Sequence, residues 1–407
     1  MIRRWSHPSR ATTTAAAILI TAVLLLVSPS AAVADALRPV IGVAFVPLST
    51  LPKPRPACSR RAGGTRDRGI GASNKPGDET SPAASFSPFA EIFRRSPFGP
   101  PSEPGEQDGD TTPEPMFDVS TLKASTEPKT FGVTPGLLID LVGAFFPFLI
   151  RAGSGAFADG YGLSITERDE SRYSVLRLGS YQLEESCSPS AAGKRPALPI
   201  ILYEFEACPF CRKVREACTI LSLEVNYKPC PKGGTKFRRR VKRKYGDVAT
   251  FPFMIDPNTG IRMFESDDII TYLFKTYGDR EVPGTLTGGA VTALTAGLGL
   301  LPRLGKGGTY RRTSVGSPPE KLRLWAYESS PFCKLVREEL CELQLEHVQV
   351  SCPRGSPNRQ RLYDLTGRFQ APYLEDPNSG VKLFESAAIL EYLGTMYGLE
   401  NTRIKYM

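Results

Sequence analysis

Glu206-Ala207-Cys208-Pro209-Phe210-Cys211-Arg212-Lys213 decides how this chain is read. Ahead of it, Pro199-Ile200-Ile201-Leu202-Tyr203-Glu204-Phe205 is an apolar run of the length of a buried strand. Behind it, Val214 to Leu221 carries apolar residues at helical spacing. Two cysteines, two residues apart, therefore fall where a strand turns into a helix. Pro209 suits the first helical position, where its missing N–H leaves nothing unpaired. A helix N-terminus stabilises a thiolate, and Lys213 and Arg215 are expected to add positive charge beside it. Cys208 is the expected nucleophile, with Cys211 one turn inside as the resolving thiol. Zinc would need two more ligands at matching spacing, and the only two histidines are far off in sequence. Strand–Cys-x-x-Cys–helix thus favours redox chemistry over a metal site or two inert thiols.

The motif returns. Leu322-Arg323-Leu324-Trp325-Ala326-Tyr327-Glu328-Ser329-Ser330-Pro331-Phe332-Cys333 restates it, with Ser330 where the first copy has Cys208. Cys230-Pro231-Lys232-Gly233 is matched by Cys352-Pro353-Arg354-Gly355, and Phe251-Pro252-Phe253 by Ala371-Pro372-Tyr373. Asp256-Pro257-Asn258-Thr259-Gly260 is matched by Asp376-Pro377-Asn378-Ser379-Gly380, and Phe264-Glu265-Ser266 by Phe384-Glu385-Ser386. Two units of about 80 residues, 197–283 and 320–401, therefore lie in tandem. Each reads strand, helix, strand, helix, strand, tight turn, strand, helix, which predicts an α/β fold with a mixed sheet. Ile269, Ile270, Leu273 and Phe274 give the last helix its apolar face, as Ile389, Leu390, Leu393 and Met396 do in the second copy.

At 407 residues there is room for further segments. The net charge of +9 lies partly in the N-terminal stretch, and 37 Gly with 36 Pro imply much linker. Nine cysteines are too sparse for a disulfide scaffold and favour reactive thiols in a reducing compartment. Met1 to Arg10 is basic, Ala15 to Val27 apolar but short for a span, and Ala31-Ala32-Val33-Ala34 fits a signal-peptidase site. Behind a second such site, Gly42-Val43-Ala44, residues 45–68 are basic with Asp67 the one acid. Residues 1–70 so resemble the bipartite leader of algae with secondary plastids, in which a Phe, here Phe45, follows cleavage; ordinary secretion is the alternative. Residues 71–130 are rich in Pro, Ser, Gly and acids and are expected to be disordered. Residues 131–190 hold an apolar stretch, Leu137 to Ile150, expected as a buried or interfacial helix. Tyr161–Thr166, Tyr173–Leu178 and Tyr181–Leu183 come next as strands of a small antiparallel hairpin or meander. A linker, 284–319, holds a second apolar helix at Gly288 to Leu301.

With these motifs in order, the two units resemble the thioredoxin superfamily, specifically glutaredoxins and the N-terminal domain of glutathione transferases. The tandem layout is similar to plant and algal plastid proteins of that N-terminal family. The resemblance implies two thioredoxin-like (βαβαββα) domains and glutathione as cofactor. It makes Pro252 and Pro372 cis-prolines facing the site. It makes Glu265-Ser266, with Glu385-Ser386 in the second copy, the clamp on the γ-glutamyl end of glutathione, in a first site completed by Phe210, Phe251 and Asp267. A Ser and an acid opening a helix suit a ligand carboxylate and ammonium, although a plain helix cap reads the same way.

Two departures bear on function. The long helical domain that succeeds this unit in glutathione transferases has no counterpart of that length, which weakens a transferase reading. Ser330 cannot form a mixed disulfide, so repeat two, with Cys333, Pro372 and Glu385-Ser386, is expected to hold glutathione, to be a transferase-like site in which Ser330 donates a hydrogen bond to the bound thiolate, or to be structural. The basic run Lys236 to Lys244 reads as a solvated face or a site for an acidic partner rather than a nucleic-acid surface. Cys230 and Cys352 read as small buried residues, with a regulatory disulfide as the alternative.

The resulting expectation is a plastid glutathione-dependent thiol–disulfide oxidoreductase acting on protein or small-molecule disulfides, with peripheral membrane contact through its apolar helices. The alternatives are a transferase-like enzyme and a non-catalytic membrane-associated scaffold.

Overall fold

The computed structural model describes residues 120, 122, 126–127, 135–189, 195–278, 281–311 and 318–398. The expected leader, 1–70, lies outside the described residues, as does nearly all of the linker 71–130.

Repeat one runs β4 (Ile200–Glu204), α2 (Pro209–Ile220), β5 (Glu224–Pro229), α3 (Phe237–Tyr245), β6 (Phe253–Ile255), β7 (Arg262–Met263) and α4 (Ser266–Tyr277). Repeat two runs β8 (Leu322–Ala326), α7 (Pro331–Glu342), β9 (His347–Ser351), α8 (Pro357–Thr366), β10 (Tyr373–Asp376), β11 (Val381–Phe384) and α9 (Ser386–Tyr397). In each the first two strands are parallel and the rest antiparallel, so the expected mixed α/β fold is present twice. Strand alternation assigns the faces. In β4, Ile200 and Leu202 pack with Val214, Ala217 and Ile269 under α2 and α4. Tyr203 points the other way, to Phe237, Val241 and Phe253 under α3.

The Asp-Pro-Asn-x-Gly turn is more than a hairpin. Asp256 Oδ2 accepts from the hydroxyls of Tyr272 and Tyr277, both at 2.6 Å, and Asp376 from Tyr392 and Tyr397. Each turn is thereby bonded to the helix after it.

The repeats join edge to edge. β5 and β9 pair antiparallel, Glu224 to Tyr227 against Val350 to His347, making one eight-stranded sheet in the order β11-β10-β8-β9-β5-β4-β6-β7. Tyr227 stacks on His347 across the seam, ring centroids 5.4 Å apart. Pairing covers two sheet edges that would otherwise template association.

The apolar face of α1 and the connection within the small sheet pack on repeat two, although the chain beyond α1 also bonds repeat one, which it precedes. Helix α1 (Leu138–Ile150) comes after a 3₁₀ turn, and Leu137, Leu141 and Ala144 pack on Leu335 and Leu390. The strands β1 (Gly162–Glu167), β2 (Leu176–Leu178) and β3 (Tyr181–Ser186) form a small antiparallel sheet in the order β1-β3-β2. The connection between β1 and β2 meets α8: Tyr173 N–H donates to Gln360, and Arg359 donates to the Tyr173 hydroxyl at 2.7 Å.

The linker holds α5 (Gly284–Thr287) and α6 (Gly289–Leu298), the latter against α2 of repeat one. The chain beyond α6 duplicates the chain beyond α1. Arg151-Ala152-Gly153-Ser154-Gly155 and Arg303-Leu304-Gly305-Lys306-Gly307 are two copies of one arm. Positive φ occurs at the same three positions in both: 47°, 72° and 79° in the first, 48°, 80° and 73° in the second. Glycine at two of the three relieves most of the cost of that backbone. Each arginine forks onto a glutamate, Arg151 onto Glu216 and Arg303 onto Glu338.

Candidate functional site

Cys208 is the N-cap of α2, with Pro209 in the first turn. Its Sγ accepts the Cys211 backbone N–H at 3.3 Å and lies 3.8 Å from the carbonyl oxygen of Phe251. The Cys211 thiol hydrogen-bonds to it and its amide adds to this, so the Cys208 thiol is more acidic than usual although burial opposes the shift. Burial and the same bond push Cys211 well above the ordinary thiol range. The two sulfurs thus divide their roles: one ready as thiolate, the other held as thiol. Cys208 is only 4% exposed, whereas Phe210 beside it is 48% exposed.

The expected cations lie nearby but are paired with carboxylates. Lys213 is buried and its ammonium binds Asp267 at 2.5 Å. Arg215 is buried and faces away into carboxylates, bonding Glu204, Glu206 and Glu328. A buried guanidinium needs such partners, so its charge is shared with three carboxylates, and it adds only a minor lowering of the Cys208 thiol, which Glu204 opposes. Burial pushes the Glu204 carboxyl up to about 7 even beside Arg215. Burial works the same way on Glu206, but Arg215, Arg337 and Lys334 hold its carboxylate well below the usual range.

The residues expected to hold glutathione surround the Cys208 turn in part. The Phe251–Pro252 and Ala371–Pro372 peptide bonds are both cis. Pro252 is buried, and Phe251 lies edge-on to Phe205 with the Arg238 guanidinium 4.7 Å from its ring. Glu265, exposed, has φ 64°, as Glu385 has φ 65°. A non-glycine residue held there costs on the order of 1–3 kcal/mol, and such strain clusters at binding sites. Ser266 is the buried first residue of α4, and exposed Asp267 is tied to α2 by Lys213. The start of α4 is therefore fixed against the helix that carries the cysteines. The second arm closes another side: Gly307 lies so near Glu206 that a Cβ would come within 2.6 Å of Glu206 Cβ. Its carbonyl accepts from Ala207 N–H at 3.4 Å.

In repeat two Ser330 occupies the same N-cap and accepts from Cys333 N–H at 3.3 Å, but it is 2% exposed. Phe332, the counterpart of Phe210, packs under Leu137, Leu141 and Ala144. Pro372 and Ser386 are buried, and Glu385 accepts from Gln370 at 2.6 Å. Burial raises the Cys333 thiol.

Cys230 and Cys352 are free and buried in the cores of their own repeats. Helix α3 buries Phe237 and Val241 and leaves Arg239, Arg240, Lys242, Arg243 and Lys244 exposed. Among the described residues no group of three His, Cys, Asp or Glu could hold a metal ion.

Sequence reasoning missed the partners of Glu206 and Glu328, and the arm. The signal for the arm was present, as an Arg-x-Gly-x-Gly after each apolar stretch.

No curated protein matches the chain. Among solved structures, the trimeric glutathione transferase TDR1 of Leishmania aligns at 15% identity over 51% of this chain and 71% of its own, with a TM-score of 0.19. At that score the likeness carries no weight, and the fold rests on the strand order and helices above. The family model for the glutathione S-transferase N-terminal domain matches residues 202–281 and again 324–401. The two repeats are tandem thioredoxin-like domains of the glutathione S-transferase N-terminal type.

Proposed function

We propose that the chain is a glutathione-dependent thiol–disulfide oxidoreductase with its chemistry in repeat one. The observation that carries this reading is the Cys208 sulfur at the start of α2, made more acidic by Cys211 and facing the backbone before cis-Pro252. The Cys208 thiolate attacks the glutathione sulfur of a glutathionylated substrate, forming a Cys208–glutathione mixed disulfide and releasing the substrate as a thiolate. A glutathione thiolate then attacks the glutathione sulfur of that mixed disulfide, giving glutathione disulfide and the Cys208 thiolate. Alternatively the Cys211 thiol, after losing its proton, attacks the Cys208 sulfur, releasing glutathione and leaving a Cys208–Cys211 disulfide for two further glutathione molecules to reduce. One disulfide is reduced, and two glutathione molecules supply the electrons overall. Phe251, Pro252, Glu265, Ser266 and Asp267 hold the glutathione backbone, with exposed Phe210 against the substrate. The slight exposure of Cys208 favours a slender peptide thiol over a broad protein surface.

In the full chain, Cys208→Ser is expected to abolish reduction of a small glutathione mixed disulfide, a loss of at least about a thousandfold. Cys211→Ser should keep a deglutathionylation activity that needs only one thiol. Equal loss in both would mean a structural pair.

The plastid destination and contact with a membrane surface belong to this reading. Among the described residues no helix is long and apolar enough to cross a membrane. Ile139 and Val142 on α1 and Val291 and Leu294 on α6 are nonetheless exposed, a composition suited to the lipid interface. Membrane-bound protein should be released by an alkaline carbonate wash; retention would contradict a peripheral mode.

A further inference from the structure

Glu206, two residues ahead of Cys208, belongs to repeat one by sequence, pairs there with Arg215 at 3.2 Å, and takes the rest of its side-chain bonds from repeat two. Its carboxylate accepts from Lys334 Nζ at 2.8 Å and from Arg337 Nε at 3.1 Å and Nη2 at 3.3 Å. Its backbone N–H points at Cys341 Sγ, 3.5 Å away, also in repeat two. The remaining polar group, its carbonyl, accepts from Arg215 at 3.2 Å. The arrangement is reciprocal: Glu328, two residues ahead of Ser330, pairs with Arg215 of repeat one at 3.0 Å. Arg337 additionally donates to the carbonyls of Tyr327 and Glu328.

We propose that repeat two is the positioning partner of the redox site in repeat one: Arg337, with Lys334, holds Glu206 and so sets the Cys208 turn. This explains why a copy with serine in place of the N-cap thiol keeps its buried cations. Arg337 touches neither the sulfur nor substrate, and it acts through Glu206. A planar fork bonded to both carboxylate oxygens fixes a carboxylate in orientation as well as in place. Two residues on, that orientation decides whether the Cys208 sulfur lies on the α2 amides.

The proposal rests on Cys208 being the reactive thiol, and the test separates the two claims. The full chain is treated with iodoacetamide from about pH 5 to about pH 10, and modification at Cys208 is followed by peptide mass spectrometry alongside thermal melting. Arg337→Gln is expected to raise the midpoint of the Cys208 profile by about one pH unit, slowing reaction at neutral pH about tenfold. Arg337→Lys keeps the charge without the fork and should restore part of the loss. Arg359→Gln, a buried arginine of repeat two that does not bond Glu206, should lower the melting temperature and leave the midpoint unmoved. An unmoved midpoint in the Arg337 variants overturns the proposal, as does an equal shift in Arg359→Gln. If Arg337→Gln does not fold, Arg337→Lys decides alone. A Cys208 unreactive in the unaltered chain overturns both the proposal and the reading beneath it.

Discussion

Repeat one and repeat two share strand order, cis-prolines and the left-handed glutamate, yet one is uncovered where the other is overlaid. Phe210 is exposed, while Phe332 packs beneath α1. Helix α3 keeps an open row of cations, while α8 is bonded by the connection within the small sheet. Glu265 is exposed, while Glu385 is bonded by Gln370. At these three places repeat two is committed to other parts of the chain, while the counterparts in repeat one, Phe210, the outer face of α3 and Glu265, are open. What the two keep alike lies at the shared centre, where Arg215 and Arg337 each serve the other repeat's glutamate.

The sharpest break in this comparison is to remove one repeat. Residues 197–283 alone would leave Arg215 without Glu328, Glu206 without Lys334 and Arg337, and β5 as an open edge. Each broken buried pair costs about 3–5 kcal/mol, a large share of the stability of a small domain. The fragment is expected to lose its cooperative thermal transition by circular dichroism. A well-folded monomer would show that the ionic centre is dispensable.

A smaller effect tests the seam. Burial pushes the His347 imidazole down to about 4, below its unfolded value of about 6.5. Its Nδ1 meets the Leu345 carbonyl at 3.0 Å and its Nε2 has no partner, so the neutral ring fits and the charged one does not. The unfolded chain therefore binds the extra proton first as pH falls through about 6.5. Stability attributable to this residue is full above that value and declines by about 3 kcal/mol by about pH 4. Chemical denaturation of His347→Gln across this range should show a shallower acid loss than the unaltered chain.

The smallest effect concerns the missing thiol. With Cys208 changed to Ser, adding Ser330→Cys should restore less than about a tenth of the original reductase rate, because reactivity needs access as well as a thiolate. Restoration to the full rate would mean that the cover over repeat two does not matter. Full activity in the Cys208→Ser chain without that addition would make Cys333 the nucleophile.

The sequence made each repeat legible because its elements are local. Pro209, the Asp-Pro-Asn-x-Gly turns and the apolar face of Ile269, Ile270, Leu273 and Phe274 act within a few residues of themselves. The buried charges were not legible. Arg215 and Lys213 in a helix next to Cys208 read as local electrostatics, and nothing nearby announces that Glu328, 113 residues on, is the partner of Arg215. The placement of α1 on repeat two was hidden for the same reason. An apolar stripe shows that a helix has a face to bury, but not against which neighbour.

That placement also bears on the order in which the molecule can assemble. Ser154 meets Ser329 across 175 residues of chain, and Tyr173 meets Gln360 across 187. Domains generally form as they leave the ribosome, N-terminal first. Repeat one and α6 can pack as they emerge, and Arg151 can reach Glu216 and Thr295, whereas the apolar face of α1 lacks Leu335 and Leu390 until α7 and α9 exist, and the β1–β2 connection lacks its partners until α8 does. The earliest described helix to be synthesised is among the last to be fully seated, and it waits through the making of repeat one with Leu141 and Ala144 uncovered. Contacts of such long span slow folding and lengthen that exposure.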